Sequence, residues 1–137
     1  MILLDTTVLV YAVGSDHPLR APCREVVAAI GRGELAATTT VEVIQEFVHV
    51  RARRRSRADA RITATRFVDL LSPLVEPNAD DLLAGLALFE RHESLGAFDG
   101  VLAATVLNRV QLSGLMSADR AFADVEGLRL LDPATGD

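Results

Sequence analysis

Lysine is absent. All 14 basic residues of this 137-residue chain are arginines. That removes every chemistry built on a lysine amine: the phosphate-binding lysine of a P-loop, a Schiff-base lysine and the lysine of a receiver domain. Cysteine is nearly absent as well. The single Cys23 has no partner for an internal disulfide, which fits a reducing cytoplasm. It stands on an apolar helical stripe and reads as a small core residue. No apolar run approaches the roughly 18 residues of a membrane span, so no membrane partner is expected. The opening residues carry no basic segment and reach Asp5 at once, unlike a secretory signal. Repeats, linkers and low-complexity stretches are also missing. Residues 1–137 are therefore expected to form one domain, with 132–137 as a loose tail.

Several catalytic signatures are missing too. There is no G-x-S-x-G elbow, and Cys23 has no persuasive histidine partner. The D-x-D start of an aspartyl-nucleophile phosphatase would need an acid at position 7, where Thr7 stands. Glu46-Phe47-Val48-His49 is an E-x-x-H sequence, but the second copy that a di-iron bundle requires is absent. His92-Glu93 does not extend to a zinc-binding H-E-x-x-H, because position 96 is glycine. His49 and His92 are accordingly read as structural or surface groups.

What remains is apolar and acidic. Half of the residues are hydrophobic and the net charge is −5. A folded globule is expected, and broad non-specific nucleic-acid binding is not, although a local basic patch is compatible with that balance. Strand and helix signals alternate. Ile2 to Leu4 is a short buried strand that stops at Asp5, and Thr6 to Val13 follows as a short helix. Cys23, Val26, Val27 and Ile30 mark the next helix by their i, i+3, i+4, i+7 spacing. Leu35 to Thr38 reads as a second strand, after which Thr39 or Thr40 caps a helix. That helix places Val43, Phe47 and Val50 inward and Glu42, Glu46 and His49 on another face. Ala60, Ala64, Phe67 and Leu71 mark a further helix stopped by Pro73, and Leu74-Val75 a short strand. Asn78 or Asp80 caps a helix expected to turn Leu82, Leu86 and Phe89 inward. Gly96 to Gly100 leads into Val101 to Leu112, apolar almost all round and so expected to be buried. Leu115-Met116 reads as a strand with Ser117-Ala118-Asp119 as its rim, and Val125 to Leu131 as an edge strand. The alternation predicts an α/β sandwich with a mainly parallel sheet.

Four acids fall at comparable places in that scheme. Asp5 and Asp119 follow short strands, Glu46 lies on the polar face of a helix, and Asp99 precedes a buried helix. In a parallel sheet, ligands bind beyond the carboxyl ends of the strands. Should these four meet, they need a cation, since two carboxylates about 4 Å apart repel by roughly 4 kcal/mol at an effective dielectric near 20. An oxygen-only donor set suits Mg²⁺ or Mn²⁺, and phosphodiester cleavage by a metal-activated water is the chemistry such a site performs. Residues 51–61 add six arginines and one acid. They read either as a solvated helix end or as a phosphate-contacting patch, with Arg51, Arg53, Arg54, Arg55 and Arg57 as the RNA-binding candidates.

The arrangement resembles the PIN domain, and most closely the VapC-like toxins of bacterial toxin–antitoxin pairs. The resemblance rests on Ile2-Leu3-Leu4-Asp5-Thr6-Thr7, Val43-Ile44-Gln45-Glu46-Phe47, Phe98-Asp99-Gly100-Val101-Leu102-Ala103-Ala104 and Leu115-Met116-Ser117-Ala118-Asp119-Arg120-Ala121-Phe122. It implies a PIN-like α/β/α sandwich and an acidic site of Asp5, Glu46, Asp99 and Asp119. Thr7 and Ser117 would be hydroxyls that orient carboxylates or water. Glu42, one turn before Glu46, competes for the place of the helical acid or stands behind it. The resemblance further implies an Mg²⁺- or Mn²⁺-dependent endoribonuclease, often one acting on structured RNA such as tRNA. Its partners would be a second copy of the chain and a small VapB-like antitoxin that inserts a basic residue near the metal site. The alternative is a catalytically silent PIN-like module that binds RNA or a protein partner.

Overall fold

A computed structural model describes all residues from Met1 to Asp137. Strand β1 (Ile2–Leu4) is fully buried and pairs in parallel with β2 (Ala37–Thr38) on one side and β3 (Gly114–Met116) on the other. Strand β4 (Leu130–Leu131) extends β3, also in parallel, giving the order β2-β1-β3-β4. The chain thus leaves β1 for one side of the sheet and later returns to its other side. The place where the order reverses, between β1 and β3, is where a parallel sheet opens a crevice at its carboxyl edge.

Six helices accompany the sheet: α1 (Thr6–Ala12), α2 (Arg20–Gly31), α3 (Val41–Arg54), α4 (Arg57–Leu71), α5 (Ala79–Arg91) and α6 (Ala97–Leu107). The α/β architecture with a parallel sheet is the one the alternation predicts. None of the helices is long and apolar enough to cross a membrane. One core cluster of 25 buried residues runs through strands and helices alike. Helices α3 and α4 pack against each other through Phe47 and Phe67, whose rings meet edge to face at 5.1 Å. Val43 and Phe47 are buried on α3, and Ala60, Ala64, Phe67 and Leu71 on α4, as their spacing predicts.

Two strands are shorter than expected, since Leu74-Val75 gives only a bridge from Val75 to Thr40 and Val125 to Leu131 pairs only at Leu130–Leu131, and two further expectations fail. Leu82, Leu86 and Phe89 do not face inward; they are 47%, 43% and 49% exposed. The face that packs is Asp81, Gly85 and Leu88. Asp81 is drawn in by charge, because Arg109 forms a two-pronged ion pair with its carboxylate at 3.0 and 2.7 Å and Asn108 adds a third bond at 2.9 Å. Gly85 is drawn in because α5 and α6 touch backbone to backbone there. A Cβ at Gly85 would lie 2.5 Å from Val101 Cα, and one at Gly100 would lie 2.5 Å from the Gly85 carbonyl oxygen. The second correction concerns α6. It begins at Ala97, after Gly96, and ends at Leu107. Asp99 therefore lies inside its first turn rather than ahead of it, and Val110 stands fully exposed beyond its end.

Candidate metal centre

Asp5 is the fixed point of the site. It leaves β1 in extended conformation and caps α1, its Oδ1 accepting the Thr6 amide at 2.7 Å. Its other oxygen accepts the Ser117 hydroxyl at 2.6 Å and the Thr7 hydroxyl at 3.1 Å. Ser117 is the first residue beyond β3, so this bond ties together the tips of the two strands that flank the crevice. The same hydroxyls also receive amides: Ala118 N–H donates to Thr7 Oγ1 at 3.1 Å, and Asp119 N–H to Ser117 Oγ at 2.9 Å. On the far side, Thr39 Oγ1 donates to the Leu4 carbonyl at 2.7 Å and anchors the end of β2 beside β1. Thr40 then caps α3 by accepting the Val43 amide at 3.1 Å. This starts α3 at the sheet edge, so Glu46, in its second turn, faces the crevice.

The other acids reach the crevice from separate elements. Asp99 comes from the first turn of α6, where the helix dipole favours its charge. Asp119 sits two residues beyond Ser117 and is held by the Ala121 amide at 2.9 Å. Burial raises the Asp5 carboxyl above its usual value, while Ser117, Thr6 and Thr7 oppose that rise and the nearby Asp119 charge adds to it. Glu46 is raised by burial and by Asp5. Asp99 feels all three of the others. It is pushed up to about 7, first by burial and then by Asp5, Asp119 and Glu46. Each of those charges is therefore close enough to perturb it. Glu42 is not among these neighbours. It is exposed and lines an apolar groove with Thr40, Leu82, Leu86, Phe98 and Val101.

A cluster of carboxylates with two hydroxyls is a hard, oxygen-only donor set, and it suits Mg²⁺ or Mn²⁺. No three acidic, histidine or cysteine groups converge on one point at ligand distance as the side chains stand. Asp5 is locked by its hydrogen bonds, whereas Glu46 and Asp119 are exposed, and Asp119 keeps one carboxylate oxygen outside its bond to the Ala121 amide. The donor chemistry fits a divalent cation, with closure of the site left to those two side chains.

A family model for the PIN domain matches residues 2–128. The chain belongs to the PIN-domain family. It is 54% identical to Ribonuclease VapC7 of Mycobacterium tuberculosis over 91% of this chain and 86% of that one. It is 37% identical to Ribonuclease VapC23 of the same species over 72% and 78% of the respective chains. The fold of this PIN domain also matches a crystal structure of VapBC2 from Rickettsia felis bound to a DNA fragment from its promoter. That match has a TM-score of 0.70 and 17% identity, and covers 96% of this chain and 98% of the other.

The arginine run of this VapC-like PIN domain divides in two. Arg51 is engaged: it pairs with Asp59 and donates to the Val13 carbonyl at 2.7 Å. Arg53, Arg54, Arg55, Arg57 and Arg61 are exposed and form no ion pair. Sequence reasoning also passed over Thr6. Its hydroxyl is buried, has no hydrogen-bond partner within ordinary geometry, and lies on the Glu46 side of the site. The only sequence signal for it is its place directly after Asp5, at the helix start.

Proposed function

We propose that this PIN domain is a metal-dependent endoribonuclease and the toxin of a toxin–antitoxin pair. The observation that carries the reading is the gathering of Asp5, Glu46, Asp99 and Asp119 around one crevice, at the point where the strand order reverses. The ribonuclease names of relatives up to 54% identical support it. Asp5, Asp99, Asp119 and Glu46 would hold Mg²⁺ or Mn²⁺. When bound, such an ion supplies Lewis-acid polarisation of a phosphoryl oxygen and an activated nucleophile at neutral pH.

The residues of the chain do the positioning. Ser117 and Thr7 fix the Asp5 carboxylate in one rotamer and favour its ionised form despite its burial. The Thr6 hydroxyl, on the Glu46 side, favours the ionised form of that carboxyl. The raised Asp99 carboxyl marks where the four acids lack a counter-charge, which a divalent cation would supply.

Two protein partners belong to the same proposal: a small VapB-like antitoxin and a second copy of the chain. Support for the first comes from the groove of about 480 Å³ beside the acids, lined by Leu82, Leu86 and Phe98 with Glu42 at its edge. An apolar segment carrying a basic residue complements that lining. The exposed Leu83 and Phe89 on α5 extend the apolar surface available to either partner.

The test is cleavage of total RNA by the purified chain with Mn²⁺ or Mg²⁺, repeated with chelator and with Asp5→Asn and Asp99→Asn. Cleavage that disappears in all three controls is the expected result. Equal cleavage by the variants would overturn the assignment. Binding of RNA without cleavage would favour the silent-module reading.

A further inference from the structure

Along α3, Glu46, His49 and Arg53 follow one another at i, i+3 and i+7, a single stripe on one face. Its first residue faces the acidic crevice. Its last two line an open concavity of about 960 Å³ between α3 and α4, with Gln45 beside them and Arg57 and Arg61 on the opposite wall. Arg57 and Arg61 are themselves one turn apart on α4, so they present two guanidinium groups in register.

The charge of this concavity is unbalanced. Residues 51–61 hold six arginines and one acid. The one acid, Asp59, gives its carboxylate to Arg51, while its backbone amide donates to Ser56 at the cap of α4 at 3.0 Å. The arginines lining the concavity have no carboxylate within ion-pair distance. In a chain of net charge −5, such a patch is a local exception rather than an overall tendency. A surface held at that potential attracts a polyanion. Forked guanidinium groups match phosphate oxygens.

We propose that this concavity seats the RNA backbone on one side of the scissile bond, with Arg53, Arg57 and Arg61 on phosphates and His49 and Gln45 as further hydrogen-bonding groups. The proposal rests on the ribonuclease reading and names how its substrate is held. From Glu46 to Arg53 the helix rises about 10 Å, close to three nucleotide steps at about 3.4 Å each along a duplex strand. The contacts go to phosphates and carry no base information, so the concavity sets how far the RNA must extend and on which side, not which sequence is cut. An acidic protein segment is the competing occupant of such a patch, and the same measurements decide between the two.

The double variant Arg57→Ser/Arg61→Ser tests it, with Arg91→Ser on α5 as the control. Both are exposed positions, and circular dichroism verifies the fold. Cleavage kinetics of a labelled RNA are measured beside anisotropy titrations of the same RNA over a range of salt, the latter on an Asp99→Asn background with chelator. The double variant is expected to raise KM about tenfold or more while lowering kcat far less. It is also expected to reduce the slope of log affinity against log salt by about 1.4, at about 0.7 per phosphate on a single strand. Arg91→Ser is expected to match the parent. Unchanged KM and salt slope would overturn the proposal and leave the concavity to a protein partner, with the ribonuclease reading intact. Absence of cleavage in the parent chain would overturn that reading instead. The anisotropy slopes would still decide the concavity.

Discussion

Replacing Asp99 by asparagine should make the metal-free protein more stable and the metal-loaded protein less so. In the folded chain, burial and the charges of Asp5, Asp119 and Glu46 raise the Asp99 carboxyl from 3.8 to about 7. Between those values the native state holds a proton that the unfolded chain has released. Stability contributed by Asp99 therefore falls as pH rises, and the full difference of about 3 pH units amounts to about 4 kcal/mol. Asp99 is only partly buried, and water entering the crevice screens the repulsion, so about 2–3 kcal/mol is a realistic share. The asparagine side chain carries no charge at any pH. In chelator at pH 8 the variant should melt roughly 6–12 °C above the parent, and most of that gain should be gone by pH 4.5, where the parent carboxyl is largely protonated. Saturating Mn²⁺ should reverse the order. A ligand at about 1,000 times its Kd stabilises the parent by about 4.1 kcal/mol, more than the head start of the variant, and the variant should lose most of that. Differential scanning fluorimetry of both proteins, at both pH values and with and without Mn²⁺, reads every term. A metal-free variant no more stable than the parent at pH 8, with parallel pH profiles, would show that the four carboxylates do not share one field. The argument for a cation would then fall with it.

Arg109→Met should destabilise the fold by about 3–5 kcal/mol in urea, because it strands Asp81, which is 1% exposed, with only Asn108 and the α5 cap as partners. The same pair predicts an acid limb. Asp81 is held down to about 2, so its contribution is complete above about pH 4, and in the parent it is lost as pH falls toward 2, a step that Asp81→Asn should lack. Gly85→Ala should cost several kcal/mol and part α5 from α6, since the added methyl would meet the Val101 backbone at 2.5 Å. A thermal midpoint equal to the parent's would refute that close approach.

The parts of the site that could be read from sequence are those decided within a few residues. Ile2 to Asp5 and Leu115 to Asp119 announce themselves because an apolar strand must end in something polar at the rim, and both do so on the crevice side. Glu46 is legible because a helix of this length has one face for Val43 and Phe47 and another for the acids. The misreadings are tertiary. On α5, Leu82, Leu86 and Phe89 form a better apolar stripe than Asp81, Gly85 and Leu88, so periodicity chooses them. The choice is reversed by Arg109, which lies 28 residues from Asp81 along the chain, and by a glycine whose value is the absence of a side chain. Arg109 lies outside the α5 sequence, and Gly85, though within it, does not announce which neighbour needs its missing side chain. The arginine run shows the same limit from the other side. Six like residues in eleven positions look interchangeable, and only the fold of α4 back onto α3 gives the single acid to Arg51. Of the other five, Arg53, Arg57 and Arg61 line one concavity, while Arg54 lies beside Val10 and Val13. A leucine stripe left bare on α5 and an arginine cluster left unpaired on α4 thus have one physical origin. Each is what remains once a specific buried or bridging ion pair has chosen its partner, and each remainder falls where another molecule can complete it.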